Sequence, residues 1–279
     1  MEWIEALILG VVQGLAEYLP ISSSGHLAIS REILGLNLEG GEALEFDVML
    51  HVATVLSTIV VLWHEFKPLI VSFFTFKRDD NFTYVCKILL SCIPVGIVGI
   101  MFKKAIEQIF VDNLTTVGIC LLITAALLCF AYFSQTRPRQ MGITRAPARD
   151  ITWLDAFIIG CAQAVAVLPG LSRSGTTIAT GIILGDKREK VAQFSFFMVI
   201  IPILGEGLLD VKDLLFPDAA DIASGATASV GIVPLLVGFI AAFVVGCLAC
   251  KWMLNIVKRG KLVWFAVYCV AAGLLCLLW

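Results

Sequence analysis

The chain has 279 residues, of which 59% are hydrophobic and only 15% charged, and its mean hydropathy is +0.94. Soluble domains carry about 25% charged residues, so this composition excludes a soluble globular protein and implies a polytopic all-α membrane protein, read as one domain over 1–279. A net charge of −2 offers no basic footprint for a nucleic acid.

The N-terminus, "MEWIEALILG", is acidic and has no small-residue cleavage site, so no removable signal peptide is expected. The first apolar region, 3–35, is broken in its middle by "YLPISSSGH" (18–26). Pro20 ends one half, and Ser22 predicts a cap for a second helix from about Ser23 to Leu34. Apolar runs follow at 46–64, 84–102 and 114–134, each near the roughly 20 residues that a bilayer crossing needs. A charged connector fills about 135–152. The second broken region, 153–185, carries "LPGLSRSGTT" (168–177). There Pro169 and Gly170 end one half, and Ser172 predicts a cap for a helix from about Arg173 to Leu184. Segments 191–210, 229–250 and 262–279 bring the expected spans to six. Each half of a broken region is too short to cross, so two re-entrant helix–loop–helix hairpins are expected beside the six spans.

Lysine and arginine test this layout. The loops 65–82, 135–152, 186–190 and 251–261, with Lys87 beside them, hold fifteen of these residues, among them Arg137, Arg139, Arg145 and Arg149. The opposite side holds four: Arg31, Lys103, Lys104 and Lys212. By the positive-inside rule both chain termini lie outside the cytoplasm of a cell-membrane, multi-pass protein.

The broken regions resemble each other. "ALILGVVQGLAEYLPISSSG" (6–25) and "AFIIGCAQAVAVLPGLSRSG" (156–175) align without gaps at an offset of 150 and share eight of twenty residues, including Gln13/Gln163 and the S-x-S-G of Ser22/Ser172. Three spans separate the copies, so the second enters from the opposite face. The expectation is an inverted-topology repeat of about 1–134 and about 153–279, whose discontinuous helices meet near mid-membrane.

A helix N-terminus presents unpaired N–H groups and about half a positive charge. Two such termini, lined by Ser22, Ser23, Ser24 and Gly25 on one side and Gly170, Ser172, Ser174 and Thr177 on the other, suit a multiply charged anion, with phosphate or pyrophosphate the best match. Arg173 adds a guanidinium that grips phosphate oxygens in pairs. Gln13 and Glu17, four apart, share one helix face. Val167 and Thr176 stand in the second copy where Glu17 and His26 stand in the first, so the first copy adds a carboxylate and an imidazole to a shared frame. Glu17 is read as a ligand of a divalent cation, with Gln13 giving a carbonyl oxygen, or as a proton carrier. His26 is read as a base, a nucleophile or an acid.

"QGLAEYLPISSSGH" resembles the (E/Q)-x-x-x-E, proline and S-S-x-G-H signature of the undecaprenyl-diphosphate phosphatases, the BacA-type family, and "LPGLSRSGTT" is similar to that family's P-G-x-S-R-S-x-x-T motif. The resemblance covers essentially the whole chain. It implies hydrolysis of a C55 prenyl diphosphate to the monophosphate and inorganic phosphate, recycling a lipid carrier for cell-wall synthesis with a divalent cation, Mg2+ or Ca2+. It also implies Glu17 as an essential acid, His26 as the motif histidine, Ser23 as nucleophile or substrate contact and Arg173 as the diphosphate clamp. Gln13 stands where the family allows either acid or amide. Water, Ser23 and His26 remain alternatives for the nucleophile. The architecture alone fits a secondary transporter or a prenyl-phosphate flippase equally well.

The remaining polar residues read as structural. Asp47 and His51, four apart on one face, are read first as a local hydrogen-bonded pair near the outer interface and second as a contact to the cavity. Glu206 and Asp210 lie near water, Asp213, Asp218 and Asp221 are solvated, and Asp155 is a helix-terminus carboxylate. The nine cysteines, including the C-x-x-C of Cys247 and Cys250, read as small hydrophobes in helices. Trp3, Trp63 and Trp279 read as an interfacial belt, and the small-residue-rich spans permit a homo-oligomer.

Overall fold

The structure, a computed structural model, describes residues 1–36, 38, 40–109, 114–140, 148–168, 170–215 and 230–279. Pro169, Arg145, Asp218 and Asp221 lie outside the described residues, as do the side chains of Lys103, Lys104, Arg137, Arg139, Glu206, Asp210, Lys212 and Asp213. Among the described residues every regular element is an α-helix: α1 (Trp3–Ala16), α2 (Ser23–Leu34), α3 (Gly40–Val61), α4 (Trp63–Phe74), α5 (Asp80–Ile109), α6 (Leu114–Gln140), α7 (Trp153–Val165), α8 (Arg173–Leu184), α9 (Arg188–Met198), α10 (Ile200–Leu215), α11 (Ile232–Arg259) and α12 (Val263–Leu278).

Among the described residues four helices are long and apolar enough to cross a membrane: Glu42–Val61 in α3, Asp80–Met101 in α5, Leu114–Ser134 in α6, and α11. Large apolar side chains such as Ile97, Phe130, Ile240 and Leu248 are exposed along them. A water-soluble protein rarely shows so much apolar surface, whereas lipid covers it at no cost. The last expected span is a shorter apolar helix, α12.

Two regions differ from the sequence expectation. The 191–210 segment is not one helix but two, α9 and α10, divided at Val199. Pro202 supplies the reason, since its ring collides with the carbonyl four residues back, that of Met198, and it offers no N–H to bond it. The 65–82 loop contains helix α4, which keeps Pro68 inside and turns Leu69 and Ser72 inward while Val71 and Phe74 stay exposed. Its apolar face was hidden among lysine and proline, which read as loop.

Each of the two broken regions folds into two short helices divided where the sequence predicts, α1–α2 and α7–α8. Both second helices end alike. Gly35 (φ 64) and Gly185 (φ 98), 150 residues apart, adopt the left-handed conformation that closes a helix with paired backbone bonds. Both first helices press against a long helix, α1 on α11 and α7 on α5. These approaches leave no room for a side chain. A methyl group at Gly10 would lie 2.4 Å from the Gly238 carbonyl oxygen, and one at Gly160 would lie 2.4 Å from that of Ser91.

The tips of the hairpins cross. A methyl at Gly25 would sit 3.2 Å from Gly170 Cα, and one at Gly175 would sit 3.2 Å from Pro20 Cβ. The hydroxyl of Ser174 donates to the Leu19 carbonyl at 3.1 Å, tying one tip to the other. The N-termini of α2 and α8 are thereby brought to one place.

Candidate active site

Each N-terminus is capped as its sequence predicts. Ser22 Oγ accepts from Gly25 N at 3.3 Å, and Ser172 Oγ accepts from Gly175 N at 3.1 Å. The backbone at Ser22 is held at φ 73, which L-residues adopt at a cost, whereas Ser172 is ordinary at φ −67. The strain falls on the copy that also carries Glu17.

Glu17 follows the last turn of α1, and its side chain is 8% exposed. Four groups converge on it. Ser23 Oγ donates to Glu17 Oε2 at 2.7 Å, and Gln13 Nε2 donates to the same oxygen at 3.1 Å. Arg173 Nη2 stands 3.9 Å from Glu17 Oε1, and His51 Nε2 stands 4.0 Å from Oε2. A carboxylate this deeply buried persists because a guanidinium and hydrogen bonds offset its lost hydration. Tyr18, next in the chain, is anchored below by donating to the Thr54 carbonyl at 2.6 Å, with the hydroxyls of Ser57 and Thr58 against it.

Glu17, Ser23, His51 and Arg173 line a cavity of about 200 Å3, whose wall also takes Ser22 and Ser24 from the first half of the chain and Gln163, Ser172 and Ser174 from the second. Val95 and Pro202 complete its apolar side. The volume suits a small polar head group, not a long apolar tail.

Most expected site residues meet here, but not all in the expected way. Gly25 and Gly170 touch each other behind the wall, and Ser24 Oγ approaches Gly170 N at 3.5 Å. Thr177 turns away from the cavity, donating to the Arg173 carbonyl at 2.9 Å and meeting Ser195 Oγ at 2.6 Å, so it steadies the first turn of α8. His26 is not on the cavity wall. Its Nδ1 lies 2.8 Å from the Ser22 carbonyl and its Nε2 lies 2.7 Å from Tyr268 Oη. A carbonyl can only accept, so Nδ1 holds a proton, and in the neutral ring Nε2 accepts from the tyrosine. The ring thus braces the Ser22 turn from behind.

His51 takes the place that the sequence reading ranked second, on the cavity wall rather than in a local pair. Asp47 does not pair with it but forms an ion pair with Arg31, leaving the imidazole turned to Glu17. A lone histidine in an apolar run was the available signal. Asp155 does cap α7, accepting from Thr152 N at 3.0 Å, and it also takes Arg149 Nη2 at 2.8 Å. Among the described residues no three His, Cys, Asp or Glu side chains form a ready-made metal cluster.

Comparison with known proteins agrees with this geometry. Residues 6–275 match the family of the bacitracin resistance protein BacA. The undecaprenyl-diphosphatase of Parabacteroides distasonis is 55% identical over 98% of this chain and 97% of its own. Its counterpart in Bacteroides fragilis is 54% identical over 98% and 96%, and that of Christiangramia forsetii is 42% identical over 98% and 97%. On a match that spans nearly its whole length, and on relatives this similar, the chain belongs to the BacA family.

Proposed function

We propose that the chain is a membrane phosphohydrolase that converts undecaprenyl diphosphate to the monophosphate and inorganic phosphate, so returning a lipid carrier to cell-wall synthesis. The observation that carries this reading is Ser23 hydrogen-bonded to the buried Glu17 at the mouth of two helix N-termini, with Arg173 beside them. The names of the relatives point the same way, and they do not support a transporter or flippase.

In this reading the diphosphate rests against the open N–H groups of α2 and α8 and against Arg173, which stabilise charge as the bridging P–O bond breaks. Ser23 Oγ attacks the terminal phosphorus while Glu17 takes its proton, and the prenyl monophosphate leaves. A nucleophile within hydrogen-bond reach of its base is the arrangement that such a step requires. Glu17, having passed that proton to the departing monophosphate, takes one from the water that attacks the phosphoserine and returns it to Ser23 Oγ as inorganic phosphate leaves. His51 holds Glu17 in place, and His26 holds the Ser22 turn.

A divalent cation, Mg2+ or Ca2+, fits here. Gln13 Oε1 is buried without a hydrogen-bond partner among the described residues, so Gln13 and Glu17 would hold the ion, offering the oxygen ligands that such ions take. When bound, it neutralises phosphoryl charge.

The architecture we propose around this site has six spans and two re-entrant hairpins in an inverted repeat, about 1–134 and 153–279, with both termini outside the cytoplasm. The crossing of the tips supports it, since the pairs Gly25–Gly170 and Gly175–Pro20 exchange places at an offset of 150.

The test is phosphate release from a C15 or C55 prenyl diphosphate by the purified protein in detergent, with magnesium, calcium or EDTA. Turnover that EDTA suppresses is expected. Absence of turnover by folded protein under every cation overturns the enzyme and its cation together.

A further inference from the structure

Gln163 is the counterpart of Gln13, 150 residues on, and it is fully buried on the wall of the same cavity. Its situation differs in one respect. Gln13 Nε2 has Glu17 four residues later to receive its hydrogen bond. Four residues after Gln163 stands Val167, which cannot accept one. Both Nε2 and Oε1 of Gln163 have no hydrogen-bond partner among the described residues. A buried amide left unpaired is costly, and native proteins almost always satisfy such groups.

The surroundings say what satisfies it. On the same wall are Ser172, Arg173 and Ser174, at the N-terminus of α8. Ser172 N is already bonded to Thr124 Oγ1 at 3.0 Å and Gly175 N to Ser172 Oγ, while the N–H groups of Arg173 and Ser174, in the first turn, have no acceptor within the helix. A helix N-terminus, an arginine and a buried unpaired amide together describe an anion site. The amide adds a further requirement, because it offers a donor and an acceptor side by side. The complementary group must accept at one oxygen and donate from another. A phosphoryl group that still carries a proton does both.

We infer that Gln163 and the first turn of α8 form a subsite for a protonated phosphoryl group, with Gln163 Nε2 donating to one phosphoryl oxygen and Oε1 accepting from the P–OH. This deepens the phosphatase reading and rests on it for the source of the ligand. Two sources share the chemistry: the terminal phosphoryl of the diphosphate before cleavage, and the inorganic phosphate after it. The phosphate bridging to the prenyl chain carries no proton and does not match.

The test uses the intact protein in detergent and the variants Gln163→Leu and Gln163→Met, which keep bulk and remove both polar atoms. Inorganic phosphate is the probe, read first by its effect on thermal unfolding, which needs no turnover. Phosphate is expected to raise the melting temperature of the wild type, and both variants are expected to need at least tenfold more phosphate for the same rise, an affinity loss equivalent to about 1.4 kcal/mol. The ligand-free variants should melt no lower than the wild type, since they lose an unpaired amide rather than a bond. Turnover then separates the sources. A rise in the phosphate inhibition constant alone marks the product, and an equal rise in KM marks the substrate's terminal phosphoryl as well. Unchanged phosphate response in the variants, or none in the wild type, overturns the subsite and leaves the amide to water. A wild type that responds to phosphate but releases none from a prenyl diphosphate keeps the subsite and overturns the phosphatase.

Discussion

Ser23 Oγ donates to Glu17 Oε2 across 2.7 Å, although six residues and a strained turn separate them. The turn exists because Pro20 ends one helix and Ser22 begins another, so the hydroxyl at the new first turn folds back onto the carboxylate at the old last one. The Arg173 guanidinium, at the start of α8, stands 3.9 Å from the same carboxylate.

Arg173 offsets the charge of Glu17 as well as facing the cavity. Removing one partner of a buried ion pair costs about 3–5 kcal/mol, because the other is left uncompensated. Arg173→Ala is therefore expected to lower both turnover and the melting temperature in detergent. Arg173→Lys should keep most of the stability and lose turnover by more than tenfold, since an ammonium cannot grip two phosphoryl oxygens.

The two histidines separate in their kinetics. His51 faces Glu17 from within the cavity, and His26 sits behind the turn. His51→Ala is expected to lower kcat by roughly ten- to a hundredfold, near the low end of what positioned acid–base partners contribute. His26→Ala should cost less than about tenfold, and Tyr268→Phe should share that smaller loss because it removes the same brace. Steady-state phosphate release over a range of substrate concentrations decides between them.

Packing makes a prediction independent of chemistry. Gly160→Ala places a methyl 2.4 Å from the Ser91 carbonyl oxygen, and overpacking of this kind costs about 1–3 kcal/mol. Gly96→Ala meets nothing within 4 Å and should be neutral or stabilising by up to ~1 kcal/mol through helix propensity. Melting temperatures of the two variants in one detergent are the check.

Asp186 gives a pH dependence outside the spans. Burial first, and the nearby Asp155 carboxylate second, push its carboxyl up from 3.8 to about 6, against the opposing pull of Arg149. The folded protein therefore holds this proton more tightly than the unfolded chain does. The stabilisation is complete below about 3.8 and is lost as pH rises through about 6. The melting temperature should rise as pH falls from 7.5 to 5.5, and Asp186→Asn should remove that component of the rise while melting higher than the wild type at pH 7.5.

Much of this was readable in the sequence, for a physical reason. Proline, serine and glycine in an apolar run can only be a break with a cap, so both hairpins and the bounds of α2 and α8 followed from local chemistry. The break at Val199 was equally local in cause, being written in Pro202. What depends on which helix lies against which was not readable. Asp47 and His51 share a helix face and look like a pair until Arg31 claims the aspartate. His26 belongs to the same motif as Ser23, yet its place three residues further along α2 turns its ring to Tyr268. Gln163 matches Gln13 in the repeat, and only the three-dimensional arrangement shows its amide buried on the cavity wall with no partner among the described residues.

The central claim is that Ser23 and Glu17 act as one unit in hydrolysing a prenyl diphosphate. Its most direct test is phosphate release by the wild type, Ser23→Ala, Glu17→Gln and the double variant, in detergent with magnesium and with folding checked by melting. The account predicts that each single variant loses about a thousandfold or more and that the double variant is little worse than either, as residues of one catalytic unit behave. Retention of more than a tenth of wild-type turnover by either single variant, or losses that multiply in the double, would contradict it.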